Sequence, residues 1–390
     1  MVTTLILIVI FAAYIGLGIP DSLMGSAWPA IYPEFGVSVS NVSFVSLIIS
    51  MGTIVSSFAS ERVVKRFKTA PVAVFSTGLT VIALLGYSFS KNMLWLCLCA
   101  IPQGIGAGSI DVALNNYVAN HYNAKQMNFL HCFYGVGVSL SPYLMSLFLK
   151  DGMQWRSGYR TMFFIQLAIF TMLFLSVPLW KKVSAEEYSE EASKKAVVPF
   201  RTLAKNAAIR MQWLVFVGSC SIESICLVWG STFLVNARGL SPEYGAKIIT
   251  FYFAGLTLGR ITAGFIVSKV KPLNIIYIGQ AVTLAAIIIL LLSKNSVAAT
   301  IGLFLVGFGN GPVFPNMTQL TPEYFGKDLS QAVIGTQMGF SYVGILVTPL
   351  LFGFIIRFIS INFFSWYLLI FYAIMMFATI GLQKNIKAVV

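Results

Sequence analysis

Four ionisable residues stand inside long apolar runs: Asp21, Asp111, Glu223 and Arg260. A charge at bilayer depth is costly and is kept where it lines a cavity or meets a partner. Burial disfavours the charged form of a carboxylate, so such a group can take up and release a proton near neutral pH. That is the chemistry of ion coupling. Asp21 and Glu223 stand 202 residues apart, in nearly the same place of two similar halves, whereas Phe314 occupies the place 203 residues beyond Asp111. A structural carboxylate inherited by duplication can appear twice; a coupling site need appear only once. Asp111, Asp21 and Glu223 are therefore the proton-coupling candidates.

The neighbours of these residues suggest a cavity wall. Gly104, Gly108, Asp111 and Asn115 fall at i, i+4, i+7 and i+11, one face of a helix. Asp21 and Trp28 are seven apart, again on one face. Trp28, Tyr134 and Trp229 could stack on the apolar C–H face of a sugar ring, although aromatics in such runs also serve for packing. His131 and Tyr134 follow at i and i+3. His131 can donate to a hydroxyl or relay a proton, or be a packed imidazole. In the second half Asn310, Asn316, Gln319 and Gln337 supply amides suited to hydroxyl recognition without charge. The expected substrate-binding set is Asp21, Trp28, Asp111, Asn115, His131, Tyr134, Asn310 and Gln337. Arg260, in GLTLGRITAG, lies near one end of its run and has Ser57 as its repeat counterpart, so a gating role that holds helix ends together is expected for it.

The elements that position these residues must be membrane helices. The chain of 390 residues is 57% hydrophobic and 10% charged, against about 25% charged in soluble domains. Too few charges remain to cover a water-facing surface. About twelve runs reach the roughly 20 apolar residues needed to cross the hydrocarbon core, and backbone satisfaction in lipid makes them helices. Gly36, Gly52, Gly104, Gly106 and Gly108 recur 203 residues later as Gly239, Gly255, Gly307, Gly309 and Gly311. Gly137 and Pro142 recur at 207 as Gly344 and Pro349. This duplication predicts two parallel repeats with a substrate site between them. The polar stretch containing KKVSAEEYSEEASKK divides the chain into a six-helix bundle over 1–180, a cytoplasmic linker over 181–209 with a surface helix near Phe200–Ile209, and a second six-helix bundle over 210–390. One alternating set of loops carries seventeen Lys and Arg and the other eight. Both termini and the linker should then be cytoplasmic, in a multi-pass protein of a bacterial inner or plasma membrane. Residues 1–20 lack a basic leader and a cleavage site and read as a retained first span.

Other classes fit poorly. A net charge of +13 could suggest nucleic acid, but the basic residues sit between apolar runs and not along one face. The five cysteines all lie in apolar runs and read as small fillers with no disulfide framework. There is no HExxH or GxSxG, and two histidines are too few for a metal cluster, so no enzyme, metal or cofactor is expected. GIGAGS lies inside a run and reads as helix packing.

The layout of six spans plus six, with a basic loop after the second span and its echo at Arg260–Lys271, resembles the major facilitator superfamily. Within it, IDVALNNYVA followed by MNFLHCFYGVGVSLSP resembles the fucose–proton symporter family and its sodium-dependent glucose transporter-like relatives. The matching positions are Asp111, Asn115, Tyr117 and Val118, with Asp21 at the family's first-span aspartate. Where the fucose branch has Glu, this chain has Asp111, and where that branch has amides it has His131 and Tyr134; LHCFYGVG is closer to the glucose-transporter-like branch. The resemblance implies an all-α fold of two pseudo-symmetric six-helix bundles. It also implies sugar transport coupled to protons through Asp21 and Asp111, with His131 and Tyr134 at the family's polar fifth-span positions. The expectation is a monomeric secondary transporter in the lipid bilayer that imports a monosaccharide, hexose or deoxyhexose, with a proton by alternating access. Sodium is the alternative coupling ion. A proton-coupled efflux pump for amphiphiles is the alternative function, but the glycine–proline motif usual in such pumps is missing from GVGVSLSPYL.

Overall fold

The structure, a computed structural model, describes residues 2–122, 124–150, 154–183, 199–292 and 295–387. Its elements are α1 (Val2–Glu34), α2 (Val42–Phe67), α3 (Thr69–Ser88), α4 (Met93–His121), α5 (Ala124–Leu149), α6 (Trp155–Val183), the short α7 (Phe200–Lys205), α8 (Ala207–Arg238), α9 (Pro242–Ile266), α10 (Pro272–Leu292), α11 (Ser296–Asn310), α12 (Val313–Phe358) and α13 (Phe364–Lys387). Among the described residues there is no strand. Twelve stretches of the described residues are long and apolar enough to cross a membrane. The 46-residue α12 breaks at Gly326, whose φ of 76° no helix accommodates. Its first part continues the span begun by α11, and its second part is the next span. The surface helix expected near Phe200–Ile209 is α7, and Ala207–Ile209 already belong to α8. Of the expected linker, residues 184–198 lie outside the described residues.

Local chemistry sets several helix ends. The Asn92 side chain accepts from the Trp95 N–H and starts α4, and the Asn295 side chain does the same for Val297 at α11. Gly36 and Gly239, a repeat pair, both adopt positive φ, 61° and 68°, just past the ends of α1 and α8. Glycine takes that conformation without a Cβ clash.

The 203-residue repeat reappears as identical backbone contacts. A Cβ on Gly104 would meet the Ile49 carbonyl, and one on Gly307 the Tyr252 carbonyl, 203 residues on. The same holds for Gly106 against Ser76 and Gly309 against Gly279, and for Gly108 against Thr53 and Gly311 against Leu256. Gly137 meets Ile15, and Gly344 meets Val217. Small residues thus let helix backbones approach closely at equivalent places in both halves. Buried amides also pair equivalent helices. Gln166 on α6 donates to Thr80 on α3 at 2.8 Å, and Gln280 on α10 donates to Thr379 on α13 at 2.8 Å.

Contacts divide the chain into two compact units, Met1–Glu187 with Leu227–Thr250, and Tyr188–Cys226 with Phe251–Val390. This division crosses α8, unlike the one read from the polar linker. Within the first unit Gly25 lies against the Leu227 carbonyl, Ser231 donates to the Ser26 carbonyl at 3.4 Å, and Tyr32 donates to Asn236 at 3.1 Å. The first unit also holds a clasp at the end of α1. Glu34 accepts from Trp155 Nε1 at 2.6 Å and pairs with Arg156 at 2.6 Å, while Arg156 Nε donates to the Ser90 carbonyl at 2.9 Å.

Candidate functional site

In the first unit α1, α4 and α5 bring two carboxylates together, each under a tyrosine. Tyr14, 1% exposed, donates to Asp111 Oδ1 at 3.0 Å, and Asn115 Nδ2 donates to the same oxygen at 2.9 Å. Asn115 lies one helical turn beyond Asp111, so the α4 spacing delivers that bond directly. Tyr134 on α5 donates to Asp21 Oδ2 at 2.8 Å. Among the described residues the second oxygen of each carboxylate, Asp111 Oδ2 and Asp21 Oδ1, accepts no hydrogen bond, and neither acid pairs with a cation. Both acids are half-buried. His131 is exposed and presents its ring to Tyr14 edge-on, centroids 6.0 Å apart. Pro20, which has no N–H to give the helix, precedes Asp21, and Gln103 Nε2 reaches its carbonyl at 3.2 Å.

The repeat makes this arrangement informative. Tyr14 and Asp111 correspond to Phe216 and Phe314, at offsets of 202 and 203. Phe216 and Phe314 also touch, edge to face at 5.0 Å. One helix contact is therefore hydroxyl to carboxylate in the first half and ring to ring in the second. The tyrosine belongs with the carboxylate. Sequence reasoning missed Tyr14; a tyrosine seven residues before Asp21, where the repeat has phenylalanine, was the available signal.

The second unit uses its polar residues differently. Arg260 Nη2 meets both oxygens of Glu223, at 3.1 and 3.4 Å. Glu223 thus has a cation where Asp21, its repeat counterpart, has a tyrosine hydroxyl. The sequence reading gave the two residues separate roles, coupling and gating; the fold makes them one pair. Asn310 and Ser219 exchange hydrogen bonds at 3.0 Å, tying α11 to α8. Gln337 accepts from Gln212 at 2.7 Å and from Thr321 at 3.4 Å, all three buried. Asn310 and Gln337 are thus occupied by protein partners, as is Asn316, which donates to the Pro312 carbonyl.

Trp28 is fully buried and its indole donates to the Val39 carbonyl at 2.7 Å, so its ring offers no open face to a sugar. Trp229 is likewise fully buried. Of the aromatic platform read from the sequence, Tyr134 remains half-buried beside a carboxylate. Among the described residues no three His, Cys, Asp or Glu side chains gather into a metal-ligand group.

Comparison with known proteins adds the following. A family profile described as Major Facilitator Superfamily matches residues 6–349. "Bypass of stop codon protein 6" of Saccharomyces cerevisiae is 24% identical, covering 93% of this chain and 78% of that protein. The glucose/mannose transporter of Bacillus subtilis is 20% identical, covering 78% of this chain and 77% of that protein. Among solved structures, a D-xylose–proton symporter matches with a TM-score of 0.77 at 12% identity over 98% of each chain. A nucleoside transporter matches with a TM-score of 0.75 at 11% identity, over 99% of this chain and 100% of the other. At those identities the likeness to the two structures is one of fold.

Proposed function

The chain belongs to the major facilitator superfamily, a family of membrane transporters and not of enzymes, and from that premise we propose that it imports a monosaccharide together with a proton. The observation that carries the proposal is the pair of half-buried acids, Asp21 and Asp111, each held by a tyrosine hydroxyl, and each, among the described residues, with no cation partner and one oxygen that accepts no hydrogen bond. A carboxylate neutralised by arginine has little use for a proton; one held only by hydroxyl and amide donors can be charged or neutral. Two of the relatives are, by name, a glucose/mannose transporter and a xylose–proton symporter.

In this reading the proton enters at Asp111 Oδ2, because Oδ1 already receives Tyr14 and Asn115. Neutralising the acid removes a charge that opposes closure around the sugar. The empty, charged carrier resists that closure, which ties sugar movement to proton movement. Tyr134, Asn115 and the exposed His131 supply donors and acceptors for sugar hydroxyls. The halves 1–180 and 210–390 act as the two repeats of an alternating-access carrier. The excess of basic residues on one set of loops puts both termini in the cytoplasm.

The test is Asp111→Asn in reconstituted vesicles. Sugar exchange should persist, and accumulation driven by an inward proton gradient should disappear. Full accumulation by that variant would remove Asp111 from coupling. Accumulation that follows a sodium gradient in place of a proton gradient would move the protein to the sodium-coupled alternative.

A further inference from the structure

The pair between Arg260 and Glu223 is incomplete. Both contacts run through a single nitrogen, Nη2, at 3.1 and 3.4 Å, and not through the two parallel N–H bonds of a strong guanidinium–carboxylate pair. A guanidinium has five N–H donors; here Nε and Nη1, with three of them, make no hydrogen bond to the described protein. The side chains are 19% and 27% exposed, so neither is sealed. The pair lies within the membrane-spanning helices α8 and α9, with Arg260 in the last third of α9, where unmatched donors are costly. Its titratable neighbours are Cys220 and Cys226 on α8 and Tyr252 on α9, and these supply no second anion.

We propose that Arg260 is an anchor for the carboxylate of a sugar acid, with Glu223 holding the place while the site is empty. This rests on the reading of the chain as a monosaccharide carrier and narrows its substrate class. Each two-donor fork of a guanidinium, Nη1 with Nη2 or Nε with Nη2, includes Nη2. Nη2 carries two N–H groups, one in each fork, so a ligand carboxylate can take the fork that Glu223 leaves open or displace Glu223 from Nη2. Arg260 supplies the counter-charge of the bound anion, and the Glu223 carboxylate competes with the ligand for it. A neutral sugar offers the three open N–H groups hydroxyl acceptors but no charge to match the guanidinium.

The experiment compares D-gluconate, D-glucuronate and D-galacturonate with D-glucose and D-galactose, by thermal stabilisation of the purified full chain and by uptake into vesicles. At least one acid should bind at concentrations about tenfold or more below its neutral counterpart, as a charge-assisted bond implies. Arg260→Gln should bring that ratio to about one. Glu223→Gln, which removes the competing carboxylate, should bind the acid about tenfold more tightly than the wild type. If Arg260→Gln does not fold, the double variant with both residues as glutamine carries the same charge balance as the wild-type pair and should show the same lost preference. Neutral sugars that bind and move while every acid fails would overturn the anchor and leave the sugar carrier standing. Failure of all five compounds would overturn both.

Discussion

Removing one hydroxyl tests how Asp111 is tuned. Tyr14→Phe deletes the 3.0 Å bond to Asp111 Oδ1 and leaves the Asn115 bond at 2.9 Å. Hydrogen bonds to charged groups contribute roughly 1.5–3 kcal/mol. Asp111 is half-buried and keeps its amide partner, so the lower end applies, about 1.5 kcal/mol, equivalent to about one pH unit. The sign follows from which form the bond serves. A hydroxyl donated to a carboxylate favours its charged form; without it the proton is held to higher pH. The alkaline limb of proton-driven sugar uptake should move up by about one unit. Initial uptake rates across a pH series in vesicles read this, with sugar exchange as the control for folding and insertion. Phe216→Tyr, the equivalent change in the second half, meets Phe314 and not a carboxylate, and should leave the limb in place. An unchanged limb in Tyr14→Phe, or one moved to lower pH, would refute the coupling of this tyrosine to Asp111.

Three further outcomes concern the scaffold. Trp28→Phe loses the indole bond to Val39, about 1 kcal/mol, and should lower the melting temperature while leaving half-saturation for sugar in place; a large loss of affinity would restore Trp28 as a ring platform. Gly104→Ala pushes a methyl group into the Ile49 carbonyl and should destabilise by roughly 1–3 kcal/mol in a thermal melt, with unchanged melting counting against the close approach of α2 and α4. Glu34→Gln breaks the pair with Arg156, whose partners are 33% and 41% exposed. It should cost about 1 kcal/mol or less, with a gap from the wild type that narrows as salt rises; a gap that ignores salt would argue against an ion pair.

Much of the fold is legible in the sequence because its determinants are local or repeated. Apolar run length specifies a span, and the paired glycines mark where equivalent helices touch, which the contacts of Gly104 with Ile49 and Gly307 with Tyr252 bear out. Asp111 and Asn115 are legible as neighbours because i, i+4 is a fixed distance on a helix. Contacts between helices are harder, since their register is not written in the chain. Nothing in the run around Tyr14 says that its hydroxyl reaches Asp111, 97 residues on. The same ignorance of register hid the pairing of Glu223 with Arg260 and the partners that occupy Asn310 and Gln337. A buried amide reads alike in sequence whether it meets a ligand or a serine. Trp28 shows the limit for aromatics: the seven-residue spacing from Asp21 is real, but the indole is committed to the backbone at Val39.

Joint movement of a monosaccharide and a proton is the property to measure first. Charge movement on a solid-supported membrane tests it most directly, using purified, reconstituted protein and a panel of hexoses, deoxyhexoses and their acids without sodium. A neutral sugar should trigger a current, or a sugar acid an electroneutral pH change in the lumen, that weakens as pH rises and is lost in Asp111→Asn. Responses that appear only with sodium, or to none of these compounds with either ion, would contradict it.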